Sequence, residues 1–322
     1  MRSRRLGGTG LDVSVVSLGS WLTFGGRVDV GTSIRCIRRA FELGVTFFDT
    51  ANVYEHGGAE EVLGRALAPM PRDRFVVATK VWGPMGPGPD DRGLGRRHVL
   101  EQSGASLRRL GLDEIDLYQC HRYDPETPLE ETCRVMDELV RAGTIRHWGV
   151  SEWTAPQMRE AIDLCRAAGL AEPRTDQPRY SMLDRAAEEE VLPACAELGL
   201  GVVVFSPLAQ GVLTGKYRDG DPAPAGSRAA SGGGARFVER LLTPANHSRV
   251  ERLRRVADDA GLPLAHLAIA WVLRRPEISS AIVGATSVAQ IEQNVAAADV
   301  EPTSEVLDAV ERALMGDGPA ER

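Results

Sequence analysis

A carboxylate, a phenol, an ammonium and an imidazole follow one another closely behind short apolar runs in the first part of the chain. Asp49 and Tyr54 follow the run 45–48, Lys80 ends the run 75–79, and His121 follows 115–119. Further on, Ser151, Gln177 and Ser206 stand at the same places behind 145–150, 175–177 and 201–205. Taken singly, a lysine at a strand end is a surface charge and a histidine behind a strand is structural. Taken together they have a chemistry. A phenol titrates near pH 10 and is a poor acid at neutral pH unless a cation stabilises its phenolate. Lys80 can supply that cation, Asp49 can hold the ammonium in place, and His121 can orient a bound carbonyl or relay a proton. The combination predicts an acid that protonates an oxygen while the attached carbon receives a hydride. A metal is not expected, because only His121 and Asp49 are plausible ligands and nothing beside them has ligand spacing.

Such a set needs elements that carry it to one place. The apolar runs are 15–18, 45–48, 75–79, 115–119, 145–150, 201–205 and 281–283, with a weaker one at 175–177. They are continuous rather than alternating, as parallel strands covered on both faces are. Helical stripes lie between them: Val62, Leu63, Ala66 and Leu67; Val99, Ser103, Leu107 and Leu110; Met158, Ala161, Ile162 and Cys165; Leu264, Leu267, Ala268, Trp271 and Val272. Thr127–Glu130 and Thr154–Gln157 read as capping boxes. Eight strands alternating with helices predict an α/β fold, a (β/α)8 TIM barrel over residues 1–322, ahead of a doubly wound sheet. Gly7–Gly10 predicts an N-terminal β-hairpin closing the barrel floor. No GxGxxG joins a first strand to a helix, so a Rossmann start is unsupported. The Gly-, Ala- and Pro-rich stretch 218–244 is either a disordered insertion or a lid, the long loop after strand 7.

Composition narrows the class. The 322 residues are 43% hydrophobic and 26% charged, with a net charge of −7, which argues against a nucleic-acid binder or a polybasic membrane binder. Five cysteines, an odd number without a CxxC, give neither a disulfide framework nor a thiolate zinc site. With no apolar run near the roughly 20 residues of a span, membrane insertion is not expected and a cytoplasmic protein is. Of 38 basic residues only Lys80 and Lys216 are lysine.

The runs FDTANVYEHGGAEEVLG (48–64), ATK (78–80), LYQCHRYDPETPLEET (117–132), GVSEW (149–153), FSPLAQGVLTGKY (205–217) and LAIAWVLRRPEISSAIVGATSVAQIEQN (267–294) together resemble the aldo-keto reductase superfamily. LGSWLTFGG (18–26) and GPDDRGLGRRHV (88–99) make the chain most similar to the branch containing potassium-channel β-subunits and their bacterial relatives. The resemblance implies a catalytic tetrad of Asp49, Tyr54, Lys80 and His121, and NADPH (NADP+) as cofactor. It places the nicotinamide amide at Ser151 and Gln177 with the ring on Phe205. The pyrophosphate falls near Ser206, Leu208, Gln210 and Lys216, under the loop containing Arg228. The 2′-phosphate meets Thr286 and Gln290, with Asn294 near the adenine. Ser20, Trp21, Asp49 and Gly284 join the cofactor contacts. The segment from Gly284 to Ser287 opens a helix whose free N–H groups favour an anion. Trp21 and Trp82 are candidates for the substrate pocket wall, or else core packing at strand ends.

Two departures matter. Glu152 stands where the family has Asn or Arg, and a carboxylate cannot donate to an amide oxygen. His121 is retained where the channel-subunit branch tends to replace it, which favours a working enzyme. The implied function is NADPH-dependent reduction of an aldehyde or ketone, with a small-molecule carbonyl as partner. A cofactor-binding regulatory subunit, or a reductase dedicated to a sugar or secondary-metabolite carbonyl, are the alternatives. A homo-oligomer is left open.

Overall fold

The continuous apolar runs become parallel strands because each is buried on both faces. A computed structural model describes residues 1–218 and 220–315 of the chain. Ten strands are present among them: β1 (Ser3–Arg5), β2 (Asp12–Ser14), β3 (Val16–Gly19), β4 (Phe47–Asp49), β5 (Val76–Val81), β6 (Ile115–Cys120), β7 (Ile145–Ser151), β8 (Thr175–Gln177), β9 (Gly201–Phe205) and β10 (Ile278–Val283). Strands β3 to β10 pair in chain order, each parallel to the next, and β10 returns to β3 to close an eight-stranded barrel. Residues 219 and 316–322 of the expected single domain, and so Asp219 of the expected lid, lie outside the described residues.

The helices are α1 (Val30–Glu42), α2 (Gly58–Leu67), α3 (Arg96–Leu110), α4 (Leu129–Arg141), α5 (Ala155–Ala168), α6 (Val191–Leu198), α7 (Ala235–Glu239), α8 (Pro244–Asp259), α9 (Leu264–Leu273), α10 (Val288–Ala296) and α11 (Ser304–Met315). The four expected apolar stripes turn inward on α2, α3, α5 and α9. The Thr154 hydroxyl accepts from the Gln157 N–H, and the Gln157 carboxamide accepts from the Thr154 N–H, so that box forms. The other does not. Thr127 Oγ1 donates to Asp124 Oδ2 at 2.7 Å, and α4 begins without a side-chain cap.

The barrel interior is filled from below. Leu6 and Val13 of the hairpin pack with Phe47, Val76, Ala78, Leu117, Val203 and Ile282 inside the strands. The hairpin turn is pressed onto the barrel: a Cβ on Gly7, whose φ is +49°, would collide with the backbone of Gly201 in β9. With the floor plugged, only the opposite mouth, where the strands end, is open to a ligand. All five cysteines are buried: Cys36, Cys120, Cys133, Cys165 and Cys195. Among the described residues no single helix is long and apolar enough to cross a membrane.

Residues 220–243 form a strap across that mouth. It carries α7, whose Phe237 meets Trp21 edge-on at 4.8 Å between ring centroids. The Arg27 guanidinium donates to the carbonyl of Gly226, and the Arg228 guanidinium lies 5.3 Å from the Trp21 ring centroid.

Candidate active site

Strand alternation aims Lys80 of β5 into the barrel while Thr79 beside it points out to Glu60 of α2. The Lys80 ammonium is completely buried and uses three donors: to Asp49 Oδ1 at 2.6 Å, Asp49 Oδ2 at 2.7 Å and the Thr50 carbonyl at 2.9 Å. Burial lowers its pKa and the Asp49 carboxylate opposes that fall. Asp49 also accepts from Gln177 Nε2 at 2.8 Å, which ties β4 to β8 across the interior.

Tyr54 stands on the turn after β4. Glu55 and His56 behind it both have φ +49°, the left-handed region that bulky residues avoid, so this turn is held in place by its surroundings. The Tyr54 hydroxyl lies 3.5 Å from His121 Nε2, and their rings are perpendicular at 5.6 Å. Lys80 Nζ is 5.5 Å from the Tyr54 ring centroid. The phenol is not lowered, as the residues alone suggest. Burial first and the Asp49 charge second push it up, with Arg122 opposing. Burial, then the Lys80 and Arg122 charges, hold the His121 imidazole well below its usual range, so it is neutral. A protonated phenol and a neutral imidazole thus share the opening of one cavity, both able to hydrogen-bond a single carbonyl oxygen.

That cavity encloses about 1060 Å³ and runs from Trp21, Tyr54, Trp82 and His121 past Ser151, Gln177 and Phe205 to Thr286, Gln290 and Asn294. Trp21 and Trp82 line it, and Trp82 also packs against the core. Ser206, Leu208, Gln210, Lys216, Arg228 and Gly284 line it too. Arg228 donates to Gln210 Oε1, and Gln210 Nε2 donates to Ser206 Oγ at 2.5 Å, so the strap is linked to the turn after β9 in one chain of hydrogen bonds. Ser206 and Gln210 have φ +59°. Thr286 donates to Gln290 Oε1 through its N–H at 2.9 Å and its hydroxyl at 3.1 Å, and Asn294 Nδ2 donates to the Gly284 carbonyl at 3.3 Å.

One expected contact is not met: Ser20 lies off the cavity lining, buried, with its hydroxyl donating to Thr50 Oγ1 at 2.8 Å. Lys80 lies behind Asp49, which lines the cavity. Glu152 has φ +56°; its carboxylate lies between Arg122 and Arg179, and its Oε1 accepts from the Arg179 N–H at 3.2 Å. Sequence reasoning missed Arg27, Arg122, Arg179 and Phe237, all of which line the cavity. Arg122 and Arg179 follow His121 and Gln177 within two positions, a signal that strand-end listing could have caught.

Arg27, Lys216 and Arg228 have no carboxylate partner among the described residues. Burial, then the Arg27 charge, brings Arg228 down to about 10, and burial also lowers Lys216 beside it. Cations crowded together and pulled down in this way favour an anion between them. Among the described residues no group of three ligands could hold a metal ion.

A plugged parallel barrel thus carries an acid set at its open mouth. The aldo/keto reductase family model matches residues 15–314. A relative from Arabidopsis thaliana, described as a probable voltage-gated potassium channel subunit beta, is 42% identical over 320 residues, covering 98% of this chain and 97% of its own. One of the same description from Oryza sativa subsp. japonica is 42% identical over 317 residues, covering 97% and 96%. The chain belongs to the aldo/keto reductase family, oxidoreductases that generally use NAD(P)H.

Proposed function

We propose that the protein reduces an aldehyde or ketone to the alcohol with NADPH, and that Tyr54 donates the proton. The observation that carries this reading is one cavity lined both by Tyr54 and His121 and by the cations Arg27, Lys216 and Arg228, which have no carboxylate partner among the described residues. The donor set fits an extended nucleotide. Arg228, Lys216 and Gln210 would hold its pyrophosphate, Thr286 and Gln290 its outer phosphate, and Ser151 and Gln177 its carboxamide beside Phe205. Bound there, a reduced nicotinamide supplies a hydride.

The protein's own work is at the oxygen. His121, neutral, donates to the carbonyl oxygen and fixes its direction. Tyr54 passes its proton to that oxygen as negative charge develops there, and the phenolate left behind faces the Lys80 ammonium. Asp49 keeps Lys80 charged despite its burial. The relatives' description motivates a second reading, a cofactor-binding subunit seated on a channel. An intact acid set with histidine at 121 favours turnover. Buried, unpaired thiols suit a reducing compartment such as the cytoplasm.

NADPH oxidation over an aldehyde panel tests the assignment. Tyr54→Phe should lose about a hundredfold or more of kcat, while a tryptophan-fluorescence titration shows cofactor binding within about twofold of wild type. Near-wild-type turnover in that variant overturns Tyr54 as the acid. A wild type that binds NADPH and reduces nothing favours the subunit.

A further inference from the structure

A second cationic group stands at the acid end of the cavity, apart from Arg27, Lys216 and Arg228. Arg122 follows His121 directly, and Arg179 lies two positions after Gln177; both line the cavity. Arg122 Nη1 bonds the carbonyl of His121, and its charge lowers the proton affinity of Tyr54, Lys80 and His121 alike.

These two arginines are poorly engaged. Glu152 Oε2 lies between them, 3.7 Å from Arg122 Nη2 and 3.6 Å from Arg179 Nη2, and Asp184 is 3.9 Å from Arg179 Nη1. Each distance is well beyond the roughly 2.7–2.9 Å of a charge-assisted hydrogen bond. A guanidinium has five N–H donors. Among the described residues the Arg122 side chain makes a single hydrogen bond, to the His121 carbonyl at 2.6 Å. The Arg179 guanidinium makes none, and its Nε is buried without a partner. Nearby walls are apolar: Trp21, Trp82 and Phe237. Arg179 also lies over the Phe205 ring at 5.3 Å, and a chamber with guanidinium N–H donors unspent on one side and aromatic rings on the other is matched to an anion of fork geometry on a small organic body.

We infer that the substrate is an oxo acid, an aldehyde or ketone carrying a carboxylate, and that Arg122, assisted by Arg179, binds that carboxylate while Tyr54 and His121 hold the carbonyl. The inference rests on the reduction proposed above and names its substrate class. The carboxylate takes no part in the bond changes; it fixes which carbonyl is presented. Glu152 partly neutralises the pair before the substrate enters, and is the charge the substrate displaces.

The test compares near-isosteric pairs on the full-length protein with NADPH: 4-oxobutanoate against its methyl ester, and 4-carboxybenzaldehyde against methyl 4-formylbenzoate. The acids should be preferred in kcat/KM by about tenfold or more, with the preference shrinking as salt is added. In Arg122→Gln the acid-to-ester ratio should fall toward one, mainly through KM, and Arg122→Lys should recover part of it. Should Arg122→Gln fail to fold, wild type answers alone: benzoate should inhibit ester reduction about tenfold more tightly than benzamide. Equal inhibition, a wild-type ratio at or below one, or a ratio that survives Arg122→Gln combined with Arg179→Gln overturns the inference. Esters reduced without acid preference sink the substrate class and leave the reduction standing. A protein that reduces neither member of either pair overturns both.

Discussion

Lys80 has no donor to spare. Its three N–H groups go to Asp49 twice and to Thr50 once, so it acts on Tyr54 as a charge at a distance rather than as a hydrogen-bond partner. The pH dependence follows from the neighbours. Tyr54 is raised above its ordinary value near 10, so the acid form is present throughout the neutral range and is lost only in strong alkali. His121 is held well below 6.5, so its neutral form persists down through mildly acid pH. The kcat/KM for reduction should therefore be flat from about pH 6 to pH 9; an ionisation near 6.5 in the profile would contradict the neutral imidazole. Asp49, Tyr54 and His121 were legible because a barrel shows its strand-end residues to the ligand, and Lys80 because a lysine ending an apolar run needs a carboxylate such as Asp49. Ser20 and Glu152 were not. Their side-chain directions depend on a local turn and on a positive φ, which residue identity does not encode.

At the scale of elements, the two capping sequences show how competition decides. Thr154 has no stronger partner and caps α5 with Gln157. Thr127 has Asp124 within reach, and that carboxylate also collects the N–H groups of Leu94 at 2.7 Å and Glu126 at 3.0 Å. Asp124 thus organises the loop between β6 and α4 and fastens it to the segment before α3. Thr154→Ala should cost about 1 kcal/mol in urea unfolding. Asp124→Ala should cost at least about 2 kcal/mol, since three donors lose a charged acceptor, and Thr127→Ala should cost less than Asp124→Ala. An equal cost for the two threonines would refute the difference drawn between them. Stripes on α2, α3, α5 and α9 were readable because they face one way. The sequence reading singled out neither α8 nor α11. Arginines punctuate α8 at 249, 252, 254 and 255 and break the apolar pattern, yet Val250, Leu253 and Ala257 still reach the core.

At the scale of the whole molecule, a fully buried acid outside the site also bears on stability. Asp176 of β8 is fully buried, its Oδ1 has no partner, and its Oδ2 meets only Cys195 Sγ at 3.9 Å. Burial raises its pKa well above the ordinary 3.8. The folded state then holds a proton that the unfolded chain has released, so between those two pKa values stability falls as pH rises, by at most about 1.4 kcal/mol per pH unit. Asp176→Asn removes that slope. Its thermal stability relative to wild type should improve from pH 4 toward neutrality, and an unchanging difference would exclude the buried proton. The fold itself was legible at this scale from strand count and continuity, since covering both faces of every strand leaves few architectures. What covers the mouth was not, because the strap is held by Arg27, Trp21 and Phe237, residues from separate parts of the chain whose meeting no local pattern announces.

Cysteines on α1, β6, α4, α5 and α6 all face inward, which turns the protein's sulfur into a clock for opening. An aromatic disulfide reagent should find no fast-reacting thiol in the native protein and all five once it is unfolded. Because the five sit in different sectors of the wall, mass-resolved labelling over hours would rank those sectors by how often each one breathes. Cooperative opening would release them as a single group, whereas a sector that opens by itself would surrender its own sulfur first. Any thiol modified within seconds would mark a wall far looser than its packing implies.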